Sequence, residues 1–100
     1  MMLNEVMLVG VVSKIREFDT YKNELIVKIE RSFKDRDNRC FDTLRCRYWK
    51  NLYQSKIESL KDGDIVSIKG RIESEEEEMI IMIEKIVLLN KSRNNILKTV

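Results

Sequence analysis

Histidine and proline are both absent from this chain of 100 residues, glycine occurs three times and cysteine twice. Without histidine the commonest general acid and base is missing, and neither a Ser-His nor a Cys-His nucleophile pair can be assembled. Lys, Asp and Glu remain, but they form no recognisable catalytic motif, so the chain reads as a non-enzyme. Cys40 and Cys46 cannot complete a four-ligand zinc site within one chain. They read as reduced core residues, and no metal or other cofactor is implied. No apolar run approaches the roughly 20 residues of a membrane span. The opening residues 1–9 are apolar but hold Glu5 and no basic leader. The expectation is a cytoplasmic protein without a membrane partner.

What is present supports one small domain: 43% of the residues are hydrophobic and 36% charged, enough apolar material for a core and no signature of disorder. The formal net charge is only +2, but residues 73–78 hold five of the 17 acidic side chains, and the remainder of the chain carries 19 basic residues against 12 acidic ones. A locally acidic, otherwise basic chain fits a polyanionic partner better than its net charge does.

The hydrophobic pattern is mostly of period two, which predicts strands. A first strand runs from Val6 through Val12, with Gly10 expected to mark a bulge or bend. After a polar turn at residues 19–24, Leu25, Val27 and Ile29 alternate with Ile26, Lys28 and Glu30 in a second strand. A charged connection follows, and a third strand spans about residues 40–48. Trp49, Leu52, Tyr53, Ile57 and Leu60 then recur at helical spacing, stopped by Asp62 and Gly63. A fourth strand at about 64–73 and a fifth at 79–89 complete the pattern. This order predicts an all-β fold with one small inserted helix: a five-stranded OB-fold Greek-key barrel with the helix between strands three and four. The barrel domain is expected over residues 1–90, followed by a short basic tail at 91–100.

The third strand is the most informative. Alternation places Thr43, Arg45, Arg47 and Trp49 on one face, and Cys40, Leu44, Cys46 and Tyr48 on the other. Two arginines followed by tryptophan suit phosphate contact and base stacking. Lys28, Arg31 and Phe33 come from the second strand and its end. All seven aromatics lie between Phe18 and Tyr53, so a stacking platform must come from the second and third strands and the loops around them. The plainer alternative, in which Phe33 and Trp49 pack in a core or a subunit contact and the arginines are ordinary surface charge, stays open at this point.

Several short segments, in order, resemble the bacterial single-stranded DNA-binding proteins. They are Asn4 through Gly10, then Phe33-Lys34-Asp35, then Asp42 followed by Trp49-Lys50-Asn51-Leu52, and finally Gly63-Asp64 with Lys69-Gly70-Arg71. The resemblance covers about residues 3–90. It implies sequence-independent binding and protection of single-stranded DNA in replication, recombination or repair. Phe33 and Trp49 correspond to stacking aromatics and Arg45 to a strand-borne basic contact, with Arg47, Lys28, Arg31, Lys34, Lys69 and Arg71 as further candidates. It also implies a homo-oligomer, dimer or tetramer, with replication proteins as further partners and a nucleoid-associated location. Three departures stand out. Glutamates fill the hairpin where the family carries aromatic and basic residues, and they are expected to form a solvated turn. Thr43 stands where an aromatic is common. The tail, with Lys91, Arg93 and Lys98, lacks an acidic tip. Two alternatives follow: an OB-fold protein-interaction subunit of a replication or primosome-type assembly, or a binder of single-stranded RNA.

Overall fold

In the computed structural model, described for residues 2–31, 40–51 and 57–89, the alternating stretches become five strands. They are β1 (Val6–Glu17), β2 (Lys22–Glu30), β3 (Phe41–Trp49), β4 (Ile65–Glu75) and β5 (Glu78–Leu88). They close into a barrel in the order β1-β2-β3-β5-β4, antiparallel except for the β3–β5 seam. The expected barrel is therefore present.

Closure depends on β1 serving two neighbours. Its first half, Val6 to Val11, pairs with β4, and its second half, Val11 to Glu17, pairs with β2. A Cβ on Gly10 would lie 2.4 Å from Val27 Cγ1 and 2.9 Å from the Lys28 carbonyl oxygen, so the missing side chain is what lets β2 cross so closely. The bulge expected at Gly10 falls instead at Ser13, between Val12 and Lys14, where the β1–β2 ladder takes up an extra residue. Glycine here answers a packing demand, and the bulge answers a register demand.

The fourth and fifth strands reach further into the glutamate run than strand propensity suggests. Glu75 and Glu78 are ladder partners, and only residues 76 and 77 turn, with Glu76 at φ 58. Inside the barrel, Leu25 faces Cys46 across the β2–β3 ladder, and both are fully buried with Val27, Tyr48, Val66 and Ile68. Burial, with the nearby Glu24 carboxylate, pushes the Cys46 thiol up to about 12.

The expected helix between the third and fourth strands is not among the described elements. Among the described residues helical backbone occurs at Lys50, Asn51, Ile57 and Glu58, and residues 52–56 lie outside the described residues. Ile57 and Leu60 are nevertheless core residues, as their spacing requires. Phe33 and Lys34 lie outside the described residues, as does the tail at 91–100.

Candidate nucleic-acid interface

The pairing of β2 with β3 builds the outer face residue by residue. Along β3 it presents Phe41, Thr43, Arg45, Arg47 and Trp49, opposed on β2 by Glu30, Lys28, Ile26, Glu24 and Lys22. At a rise of 3.2–3.4 Å per residue, the row from Phe41 to Trp49 is about 26 Å long. Its three parts differ in chemistry.

At the Trp49 end, the β1–β2 turn is tied down by Asp19, whose Oδ1 accepts hydrogen bonds from the backbone amides of Tyr21 at 2.8 Å and Lys22 at 2.7 Å. The hydrogen bond from Tyr21, the largest influence, holds the Asp19 carboxyl below its ordinary value. The Lys50 amide donates to the Tyr21 carbonyl at 3.0 Å, fastening the end of β3 to this turn. The result is an open notch of about 360 Å3 lined by Thr20, Tyr21, Trp49, Lys50 and Asn51. Tyr21 is 69% exposed and Trp49 39%. Lys22 Nζ stands 4.9 Å from the Trp49 ring centroid, a cation–π contact, and Lys50 Nζ pairs with Glu17 at 2.9 Å. Trp49 was legible from alternation, whereas Tyr21, Lys22 and Lys50 were not. The available signal was an aromatic following Asp19 inside an otherwise polar turn.

The centre of the face corrects the sequence reading. Arg47, expected as an outward phosphate contact, is 1% exposed. Its Nε donates to Glu24 Oε2 at 3.3 Å, its Nη1 pairs with Glu75, and the Phe18 ring covers it with the centroid 3.5 Å from Cζ. Arg45 does face outward, but its Nε donates to Glu24 Oε2 at 3.0 Å and its Nη1 pairs with Glu78. Arg16 completes the set, donating from Nε to Glu24 Oε1 at 2.7 Å. Burial opposes ionisation of Glu24, but hydrogen bonds from Arg16, Arg45 and Arg47 outweigh it and hold its carboxyl below the ordinary value. The glutamate run is thus only in part a solvated turn: Glu76 and Glu77 turn in solvent, while the carboxylates of the flanking strand residues Glu75 and Glu78 fold onto the β3 arginines. The reason is register: Arg47 stands opposite Glu24 and beside Met82 of β5, whose hairpin turn then overhangs it.

At the far end, Lys28 is exposed opposite Thr43 and makes no ion pair among the described residues, and Phe41 is 46% exposed. Arg31 is engaged with Asp42, Nη2 to Oδ1 at 2.6 Å. Lys69 and Arg71 do not join the β2–β3 row. Arg71 lies on β4 across Met82 of β5 from Arg47 and pairs with Glu73 at 2.7 Å, and Lys69 pairs with Glu5 at 3.0 Å.

Five strands closed in this order define an OB-fold protein. Solved structures with the same fold include the N-terminal domain of the PriB protein from Thermoanaerobacter tencongensis, a dimer, at 22% identity and TM-score 0.65, the match covering 86% of this chain and 96% of that one. They also include a small single-stranded DNA-binding protein from Mycoplasma pneumoniae, at 21% identity and TM-score 0.66 over 86% and 93% of the two chains. A third is a small single-stranded DNA-binding protein from Streptomyces coelicolor, at 15% identity and TM-score 0.61 over 93% and 98%. No protein-family model and no curated protein sequence matches the chain. At these identities the likeness establishes the shared fold.

Proposed function

We propose that this protein binds single-stranded DNA without sequence preference, as a non-enzymatic accessory to replication, recombination or repair. The observation that carries this reading is the Tyr21–Trp49 notch: two exposed aromatic rings flanked by Lys22 and Lys50 at one end of a strand face whose other end offers Phe41 and Lys28. Aromatic faces stack on any base, and the lysines hold the backbone between them. The solved structures of the same fold that are described as binding single-stranded DNA support this choice of ligand. Helical backbone at Lys50, Asn51, Ile57 and Glu58 supports a helix behind the notch, between β3 and β4. A homo-oligomer, dimer or tetramer, is supported by the exposed apolar side chains of Met7, Val9 and Val87, the last two in one row across Ser67 on the outer surface. Light scattering of the purified chain tests that part.

The neutralised centre of the face favours a second reading, a protein-interaction subunit of a replication or primosome-type assembly. Tryptophan fluorescence separates the two, because Trp49 is the sole tryptophan. Titration with oligo(dT) of increasing length at two salt concentrations should quench it, with an affinity that falls as salt rises. Unchanged fluorescence together with no retardation of labelled DNA on a gel overturns the DNA reading in favour of the protein-interaction one.

A further inference from the structure

Arg45 and Arg47 sit two residues apart on the same row, yet their situations differ. Arg47 is fixed: its side chain is 2% exposed, it is shared between Glu24 and Glu75, and Phe18 covers it. Withdrawing it would strand a buried charge. Arg45 shares Glu24 through its Nε, but its side chain is 34% exposed, and the partner of its Nη1, Glu78 at the start of β5, is 64% exposed. An ion pair this open to water holds by no more than about a fivefold preference. A phosphodiester, which accepts the same charge-assisted hydrogen bonds, can compete for the guanidinium. Arg45 also borders the open cleft, about 790 Å3, formed with Phe18, Arg47 and the four glutamates at residues 75–78. A DNA strand running from the Tyr21–Trp49 notch to Lys28 and Phe41 crosses that cleft and meets carboxylates first.

We propose that Arg45 is a latent phosphate contact which Glu78 holds in check, making the tip of the β4–β5 hairpin an autoinhibitory latch on the binding face. The proposal rests on the single-stranded DNA reading above and concerns the regulation of that same site. Binding exchanges Glu78 for a phosphate at Arg45, leaving the Arg47–Glu24 pair in place. The exchange asks little of the backbone, since Glu78 stays in the last ladder pair with Glu75, beside the two-residue turn, and only its side chain is released. Glu77 provides an internal control, being exposed on the adjoining turn without an ion pair among the described residues.

The test is fluorescence anisotropy of labelled oligo(dT) over a range of sodium chloride, with the wild-type chain, Glu78→Gln, Glu77→Gln, Arg45→Ala and the Arg45→Ala/Glu78→Gln double variant. Glu78→Gln is expected to tighten binding by about fivefold, and Glu77→Gln to do so distinctly less. The same Glu78→Gln gain is expected to vanish in the Arg45→Ala background. Equal gains from the two glutamine variants, or a Glu78→Gln gain that survives loss of Arg45, overturn the latch and leave only general repulsion. Binding by Glu78→Gln where the wild type binds nothing supports it. Absence of binding in every variant defeats the single-stranded DNA reading itself, and the latch falls with it.

Discussion

Trp49 and Arg47 show how far two neighbours on one strand face can diverge. Trp49 keeps 39% of its surface exposed beside Tyr21, whereas Arg47 is buried under Phe18. Trp49→Ala should therefore weaken oligo(dT) binding by about 1–3 kcal/mol with the thermal transition nearly unchanged. A folded Trp49→Ala variant of intact affinity would sink the stacking role. Tyr21→Ala, at the opposite wall of the notch, should weaken binding in the same direction. Cys46 permits a chemical check on the core. With its thiol pushed up to about 12 by burial and the Glu24 carboxylate, it should resist a thiol reagent at pH 8 and react only on unfolding.

At the scale of elements, the β4–β5 ladder and the seams of β1 carry most of the construction. Asn4 of the opening motif lies just before β1. Its side-chain amide donates to the Ile72 carbonyl at 2.7 Å and accepts from the Ile72 amide at 2.9 Å, so it continues the β1–β4 ladder as a strand residue would. On β4, a Cβ at Gly70 would lie 2.2 Å from the Met82 carbonyl oxygen, beside the register shift between Lys69 and Gly70. Backbone cannot yield as a side-chain tip can, so Gly70→Ala should cost about 3 kcal/mol in urea denaturation. At the hairpin turn, Glu76 adopts a left-handed conformation that suits glycine better. Glu76→Gly is expected to raise stability by about 0.5 kcal/mol, the relief of strain being partly offset by the entropy of a glycine in the unfolded chain.

Across the whole molecule, the charge network centred on Glu24 touches every strand: Arg16 on β1, Glu24 on β2, Arg45 and Arg47 on β3, Glu75 on β4 and Glu78 on β5. The Glu24 carboxyl is held below its ordinary value in the fold. Its ionised form therefore stabilises the barrel above the ordinary glutamate range, and that contribution is lost as pH falls through the lowered folded value. Thermal transitions recorded as a function of pH should show the wild type losing stability on acidification. Glu24→Gln, lower by about 3–5 kcal/mol at neutral pH, should change less over the acid range. A wild-type profile as flat as that of the variant would show that Glu24 does not couple the strands.

Period-two alternation and a few punctuating glycines were enough to specify five strands, their order along the chain, the inward set Leu25, Val27, Cys46 and Tyr48, and the outward placement of Arg45 and Trp49. These properties are local, since a side chain's face follows from its place in the pleat. The sequence could not say which outward residues stay in water. Glu24 meets Arg47 only through the register of β2 on β3, Glu75 and Glu78 reach the arginines only because the closed barrel brings the β4–β5 turn over β3, and Tyr21 reaches Trp49 only through the Asp19 turn. Burial of a strand's outer face and the pairing of distant charges depend on which strands become neighbours, and only the closed tertiary structure decides that.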